Sequence, residues 1–333
     1  MNLILFLLAV VAGDPAPQLK QFRQTQPHMG VLFEIALYAP DEATAKQGFD
    51  AAFARVAELN KVMSDYDLDS ELMKLSLSSP HDRPQPVSED LWRVLEKSDA
   101  MARASEGAFD ITVGPLTRIW RRARRQKEKP TDEEIREAMQ AVGWNKVELS
   151  PKGRAVRLTH GKMRLDLGGI GQGVAADEAL AVLRKMGLPC AMVDASGDIA
   201  LGDPPPGEKG WRIGIAPLAP KDPPSRFLLL ANYAVSTSGD AYQFVEFDGK
   251  RYSHIVDPKT GFGLTHRISV TVVARNCTEA DALDTAVCVL GIDKGLALVE
   301  SRAGTAALIT VAPEGKAELV ESKLWKVYSR EVK

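Results

Sequence analysis

The sequence has few cysteines, no excess charge of either sign and no internal repeat. Its three cysteines are widely spaced and include no CxxC pair, so they are typical of small core residues and leave disulfides undecided. The 42 basic and 44 acidic residues give a net charge of −2, which offers no general attraction to nucleic acid or to an anionic membrane. With 45% hydrophobic and 26% charged residues, the chain has an ordinary globular composition, and disorder, collagen and coiled coil are excluded.

Only one long apolar run is present, and it lies at the start of the chain. Residues 2–13 are apolar and end in small residues before Asp14, but the run is too short to span a bilayer as a mature helix. Its length and its end are typical of an export signal, although no Lys or Arg precedes it. A buried N-terminal strand or helix is the alternative. We expect an exported protein.

A glycine-rich turn near the middle of the chain is the centre of the prediction. Residues 163–167 are predicted as a short apolar strand, which leads through Gly168, Gly169 and Gly171 into a helix over 174–185. Glycines let the backbone approach a ligand closely, and the following helix offers unpaired N–H groups. The pattern predicts a phosphate site.

Three interpretations of this turn are open from the residues alone. The spacing Gly171-x-Gly173-x-x-Ala176, with Asp194 about twenty residues on, nearly satisfies the dinucleotide fingerprint of a Rossmann unit. Asp166 argues against that unit, because its strands are normally buried on both faces and apolar. A buried carboxylate must be paired or placed on a ligand, so a flavin or metal site is favoured. A strand–turn–helix with packing glycines is the third interpretation.

A second group of oxygen donors follows a predicted strand over 268–273. Asp281, Asp284 and Thr285 stand at positions i, i+3 and i+4, so their side chains share one face of a helical turn. Oxygen donors of this kind suit Mg²⁺, which keeps open positions for water and substrate phosphate. The alternative is a capping box of Thr278 and Asp281 without any metal. A cap does not need Asp284, yet the spacing leaves both interpretations open.

Three other features have both a functional and a structural interpretation. His254 ends a predicted strand before a turn, where it is either a candidate general base or a structural histidine. Tyr66 lies among short polar residues and could stack on a planar ring or simply be an exposed loop tyrosine. Residues 118–129 carry five arginines and two lysines, which are predicted to form a solvated face rather than a docking patch for an acidic partner.

Helices and strands are interspersed without strict βαβ alternation. Residues 107–116 are predicted to turn into a short strand, and the second half of the chain is mostly strand. The sequence therefore favours an α+β fold with mixed sheets and flanking helices.

Taken together and in this order, six segments resemble the ApbE family, the FAD:protein FMN transferases. The resemblance runs from Met29 to about Gly304. The segments are MSDY (63–66), GAFDITVGPL (107–116), DLGGIGQG (166–173), STSG (236–239), HIVDPKTG (254–261) and ADALDT (280–285). Each segment alone is weak, but six in the family's order are specific.

The resemblance implies one ApbE-like domain over residues 14–333, with FAD in a cleft between lobes and Mg²⁺ at the pyrophosphate. By position, it implies flavin contacts from Met29, Tyr66, Ala108, Phe109, Asp110, Asp166, Gln172 and Val256. It implies a metal shell formed by Asp281, Asp284, Thr285 and the backbone at Gly169. In such enzymes FMN moves from FAD to a threonine or serine hydroxyl of another protein and AMP leaves. His254 is then the candidate base for that hydroxyl.

The sequence therefore predicts an exported, Mg²⁺-dependent FMN transferase. Its expected partner is an acceptor protein with a Ser/Thr flavinylation motif, such as a membrane or periplasmic redox subunit, and no nucleic acid. An FAD-binding or carrier protein without transfer activity is one alternative. Mg²⁺-dependent hydrolysis of FAD to FMN and AMP at the same site is the other.

Overall fold

The computed structural model describes residues 18–217, 223–240, 243–312 and 316–329, so the predicted export signal lies outside the described residues. The helices are α1 (Glu42–Met63), α2 (Glu71–Leu77), α3 (Glu89–Ala104), α4 (Gly114–Gln126), α5 (Asp132–Met139), α6 (Gly171–Lys185), α7 (Cys277–Glu300) and α8 (Trp325–Tyr328). None of these helices has the length and apolar content needed to cross a membrane. The three cysteines are buried and free, so none of them forms a disulfide.

The strands form one large sheet and three small ones. They are β1 (Lys20–His28), β2 (Val31–Ala39), β3 (Gln85–Pro86), β4 (Val147–Ser150), β5 (Ala155–Leu158), β6 (Ala191–Asp194), β7 (Ile199–Leu201), β8 (Trp211–Gly214), β9 (Phe227–Leu230), β10 (Ala234–Gly239), β11 (Phe244–Phe247), β12 (Lys250–Ser253), β13 (Ile268–Ala274), β14 (Ala306–Val311) and β15 (Glu318–Glu321). The large sheet has the order β1-β2-β6-β7-β10-β13-β14-β15.

Every strand pair in the large sheet is antiparallel. The predicted α+β fold is confirmed. Helices and antiparallel sheets are interspersed along the chain, and the large sheet does not combine parallel with antiparallel strands. A Rossmann unit needs parallel strands joined by crossover helices. The Rossmann interpretation of the Gly171 turn is therefore wrong.

The large sheet separates two hydrophobic cores. In β13, Val270 and Val272 belong to the core beneath α1, α6 and α7, whereas Val273 belongs to the core beneath the β8–β9 hairpin and α8. Side chains alternate between the faces of a strand, so neighbouring valines reach opposite cores. Strand β13 is consequently buried throughout, and α7 is held against it and β10.

The predicted strand over 163–167 is not a strand. Its apolar side chains, Met163, Leu165 and Leu167, are buried. Its N–H groups bond outside any sheet: Leu165 N donates to Ser76 Oγ (3.1 Å) and Asp166 N donates to the Ile111 carbonyl (2.8 Å). Alternating burial requires only extended backbone, and here a helix and a loop provide the acceptors instead of a neighbouring strand. The segment remains extended and leads into α6.

The predicted strand within 107–116 is also wrong. Asp110 accepts a hydrogen bond from Thr112 N (2.8 Å) and begins a 3₁₀ turn over Ile111–Val113, which continues into α4. Short acidic side chains favour such caps over strands. Gly114 lies so close to the extended segment 163–167 that a Cβ would be 2.2 Å from the Arg164 carbonyl oxygen. This packing holds α4 against residues 163–167.

Helix α7 begins beside the start of α6. Asn276 caps α7 by accepting from Glu279 N (2.9 Å), and Asp177 of α6 accepts from Cys277 N (2.8 Å) and Thr278 N (2.9 Å). The capping box predicted as an alternative for Thr278 and Asp281 is therefore wrong. At Gly173, a Cβ would lie 2.4 Å from the Cys277 carbonyl oxygen, so only glycine permits this approach of the two helices.

We expect Asp177→Ala to destabilise the protein by about 2–3 kcal/mol, because it leaves buried N–H groups of α7 without an acceptor. Equilibrium urea unfolding at pH 7 measures the change. Asp50→Ala is a matched control, since Asp50 is exposed on α1 and pairs only with Lys46 (2.5 Å). Equal unfolding free energies for the two variants would contradict the role given to Asp177.

Candidate functional site

The turn over 166–171 lies against the first turns of α7. A Cβ on Gly169 would be 3.0 Å from Thr285 Oγ1 and 3.4 Å from Phe109 Cε2. In the first turn of α6, just after this turn, the amide of Gly173 donates to Asp281 Oδ2 at 2.9 Å. The structure thus brings together the glycine turn and the Asp281–Thr285 helical face, which are distant in sequence, as the metal prediction requires.

Three carboxylates gather at this face: Asp281 and Asp284, which are buried, and Asp198, which is half-buried. Asp281 and Asp284 are only 5% and 1% exposed. Asp284 Oδ2 contacts the Ser236 hydroxyl of β10, and the same hydroxyl contacts Asp198 Oδ1. Within the described residues, Asp284 Oδ1 is buried and has no hydrogen-bond partner. A buried oxygen without a partner is costly unless a ligand completes it.

Burial raises the pKa of all three carboxyls. For Asp281 and Asp284, burial is the main cause and repulsion from Asp198 adds to it, which places each pKa well above its usual range. Burial likewise raises the pKa of Asp198 to about 7. A cation among these groups would favour their ionised forms and reverse the shifts.

These residues fit a hard divalent cation such as Mg²⁺. Asp281, Asp284, Thr285 and the Gly169 backbone supply only oxygen donors, which Mg²⁺ prefers. In the described part of the chain, no three His, Cys, Asp or Glu side chains form a metal site by themselves. An ion would therefore also depend on hydroxyl, backbone and substrate oxygens. This is the arrangement of ions that bind together with a phosphate substrate.

Asp166 begins the glycine turn and is fully paired. Its Oδ2 accepts from Thr117 Oγ1 (2.6 Å) and Arg121 Nη2 (2.9 Å), and its Oδ1 accepts from Gly168 N (2.8 Å). The sequence predicted that a carboxylate here must be paired or placed on a ligand, and the partners are protein groups. Asp166 thereby ties α4 to the turn, and direct contact with a flavin stays a prediction.

Arg121 connects Asp166 with the Tyr66 loop. It pairs with Asp65, and its guanidinium lies over the Tyr66 ring, 4.6 Å from the ring centroid. Tyr66 is 72% exposed, so one face of the ring is open for stacking. The prediction that residues 118–129 form only a solvated face is therefore wrong at Arg121, because α4 turns this side chain towards two carboxylates.

His254 lies beside the arginines of α4. Its Nδ1 is 3.2 Å from the Gln243 carbonyl oxygen, and the Gln243 side chain accepts from Arg124 Nη1 at 2.9 Å. Burial lowers the His254 pKa to about 4; the Gln243 contact opposes this shift, and the positive charges of Arg124 and Arg121 add to it. The imidazole is therefore neutral at pH 7. With Nδ1–H donating to the carbonyl, Nε2 retains a free lone pair.

Of the other predicted flavin residues, Met29 and Gln172 lie at the same turn. The Cε of Met29 lies 3.5 Å from the position of a Cβ on Gly171, and Gln172 follows on the first turn of α6. Val256 packs in a buried cluster with α4. Asp110 is occupied by protein donors, including Trp144 N at 2.8 Å, and Ala108 is buried beside it. Their flavin contacts stay predictions.

Sequence reasoning missed several residues of this site. Asp198 was not among the residues predicted from the sequence, and Ser236 appeared only within the segment 236–239 without a role. Arg121 could have been found, since Thr117 and Arg121 stand at i and i+4 on α4 and both contact Asp166. For Asp198, the one available signal was a carboxylate immediately before the apolar strand β7.

Comparisons with known proteins agree with this geometry. Residues 29–309 match the model of the ApbE family. The chain is 31% identical over 320 residues to the FAD:protein FMN transferase of Vibrio cholerae serotype O1, with 95% of both chains covered. It is 32% identical over 282 residues to that of Escherichia coli K12, with 79% of both covered.

Solved structures give the same result. The flavin transferase ApbE from Vibrio cholerae is similar with a TM-score of 0.85 at 29% identity, covering 93% of this chain and 100% of that one. The ApbE protein from Thermotoga maritima is similar with a TM-score of 0.84 at 28% identity, covering 94% of this chain and 100% of that one.

Proposed function

The chain belongs to the ApbE family, and we propose that it transfers FMN from FAD to a serine or threonine hydroxyl of an acceptor protein in a Mg²⁺-dependent reaction. The observation that carries the proposal is the approach of Gly169 to Thr285, beside Asp284 Oδ1, which has no hydrogen-bond partner among the residues that the structure describes. This places oxygen donors next to a glycine turn at a helix N-terminus, where a pyrophosphate is favoured.

The transfer replaces the phosphoanhydride bond of FAD by a phosphodiester bond to the acceptor. The acceptor hydroxyl oxygen attacks the FMN phosphorus of the pyrophosphate and forms the new P–O bond. The P–O bond to the AMP phosphate breaks, and AMP leaves with the electron pair. The hydroxyl proton passes to a base, for which neutral His254 is the candidate because Nε2 has a free lone pair.

Two features of the chain would stabilise the charge that develops on the phosphate oxygens. The N-terminus of α6, which begins at Gly171, carries the partial positive charge of the helix dipole, although the amides of Gly171 and Gly173 already donate to Leu167 and Asp281. Asp281, Asp284, Thr285 and the Gly169 backbone would hold Mg²⁺, which supplies positive charge to the pyrophosphate oxygens when it is bound. Tyr66, with its open ring face, would hold the dinucleotide by stacking.

The reaction is tested by incubating the protein with FAD, Mg²⁺ and an acceptor domain that bears a candidate threonine. Flavin fluorescence that stays on the denatured acceptor supports transfer, and replacing the threonine by valine should abolish it. Free FMN and AMP without labelled acceptor would instead indicate hydrolysis. Unchanged FAD that remains bound would indicate a carrier protein. Omitting Mg²⁺ tests the metal dependence.

We also propose that the protein is exported and acts on a membrane or periplasmic redox protein. The support is the apolar run over residues 2–13. Cell fractionation of the full chain and of a variant that lacks these residues tests the proposal. Equal cytoplasmic amounts of the two forms would contradict export.

A further inference from the structure

Ser236 lies between two carboxyls on different elements, the half-buried Asp198 and the buried Asp284. Its hydroxyl contacts Asp198 Oδ1 on one side and Asp284 Oδ2 on the other, and the Ser236 side chain is fully buried. A hydroxyl has one proton and can donate to only one of the two oxygens at a time, while its lone pairs can accept from a protonated carboxyl. The three side chains therefore form one hydrogen-bonded chain that ends at Asp284.

Strand pairing fixes this chain of contacts. In the β7–β10 pair, Ile199 lies opposite Val235. The antiparallel register brings Asp198, the residue before β7, next to Ser236, the residue after Val235. Helix α7 packs on β10 and presents Asp284 to the same hydroxyl. Asp198 thus contacts Ser236 from the end of the neighbouring strand and is not part of the predicted metal shell.

The chain of contacts occupies one oxygen of Asp284 and leaves the other without a partner. Oδ2 is held by Ser236, whereas Oδ1 is buried and lacks a hydrogen bond within the part of the chain that the structure describes. The orientation of the carboxylate is therefore determined before any ligand binds. Groups behind a metal ligand commonly fix its orientation in this way and raise its basicity.

We propose that Asp198 is a positioning residue that acts through the Ser236 hydroxyl to orient Asp284 and strengthen its binding of Mg²⁺. This inference rests on the proposed function, because it concerns the metal ion of that reaction. It gives a role to Ser236 and to Asp198, neither of which was assigned one by the motifs.

The test compares Mg²⁺ binding by the FAD-loaded protein in the absence of acceptor. Asp198→Asn keeps the size of the side chain and is expected to weaken Mg²⁺ binding by about 10–100-fold in titration calorimetry. It should also shrink the rise in melting temperature that Mg²⁺ produces. Asp203→Asn is the matched control, because Asp203 also carries a carboxylate near the end of β7 but bonds to Asn232 (3.0 Å).

A double-mutant cycle tests the route through the hydroxyl. If Asp198 acts through Ser236, Asp198→Asn should have little further effect on the Mg²⁺ dissociation constant in a Ser236→Ala background. Equal losses with and without the Ser236 hydroxyl would overturn the proposed route. A folded Asp198→Asn protein with an unchanged dissociation constant would overturn the positioning role, while transfer by the unmodified chain would still stand. Failure of the unmodified protein to bind Mg²⁺ would overturn both.

Discussion

Replacing His254 by alanine is expected to reduce FMN transfer by about 10²–10⁴-fold, the usual contribution of a general base. FAD affinity should stay within about twofold, because the proposed role concerns the acceptor proton and not the flavin. Single-turnover labelling of the acceptor measures transfer, and quenching of FAD fluorescence measures binding. The expected pattern is a loss in the rate constant with little change in binding.

His160→Ala is a suitable control for this variant. His160 is exposed, and its ring nitrogen Nδ1 lies near the carbonyl of the adjacent Gly161. We expect this substitution to leave transfer and FAD binding unchanged. Full transfer activity in His254→Ala would remove the base role and return His254 to the structural interpretation that the sequence also allowed.

The pH dependence of transfer offers a second check on His254. Its pKa is lowered to about 4, so the imidazole is neutral and able to accept a proton at any pH well above that value. At saturating Mg²⁺, the rate should hold its plateau as the pH falls from 7 towards 5 and decline only as it approaches 4. An acid limb centred near the ordinary histidine pKa of about 6.5 would contradict the lowered pKa of His254, but not its role as base.

Asp284→Asn is expected to reduce Mg²⁺-dependent transfer by about 10²-fold or more, since a lost metal ligand removes several kcal/mol of charge stabilisation. Titration calorimetry should show the same loss in Mg²⁺ affinity. Glu279→Gln is the matched control on the first turn of α7, because Glu279 pairs with Arg302 (3.0 Å) and faces away from the site. A variant as active as this control would contradict the metal role of Asp284.

Asp284→Asn, which is expected to lower activity, should raise the stability of the metal-free protein. Burial and repulsion from Asp198 raise the folded-state pKa of Asp284 above its unfolded value. The folded protein then binds protons more tightly than the unfolded chain, and stability is lost as the pH rises through the folded-state pKa. Without Mg²⁺ at pH 8, Asp284→Asn should therefore melt at a higher temperature than the unmodified protein. A lower melting temperature would show that the carboxylate has a stabilising partner in the metal-free protein.

The metal face illustrates what local spacing can predict. The spacing of Asp281, Asp284 and Thr285 puts their side chains on one face of any helix, and these residues are indeed in helix α7. The spacing could not exclude a capping box, because the same residue types serve both purposes. The actual caps are Asn276 and Asp177. Asp177 accepts a hydrogen bond from the Cys277 amide although the two residues are 100 positions apart in the sequence.

The two wrong strands have one physical cause. Residues 163–167 and the middle of 107–116 have apolar residues at alternate or closely spaced positions, which is the local signature of a strand. Alternation is satisfied by any extended segment that is buried on one side, and apolar residues after a cap also suit a short helical turn. The partner that accepts the backbone hydrogen bonds decides between these outcomes, and that partner lies elsewhere in the chain.

Local sequence was enough to predict the α+β class, the glycine turn before α6 and the oxygen-rich face of α7. Each follows from the conformational preference of residues within one turn of backbone. The contact of Ser236 with both Asp198 and Asp284, and the placement of Arg121 between Asp65 and Asp166, depended on the assembled fold. Periodicity tells which face of an element is polar, but strand register and helix packing decide which distant side chain that face meets.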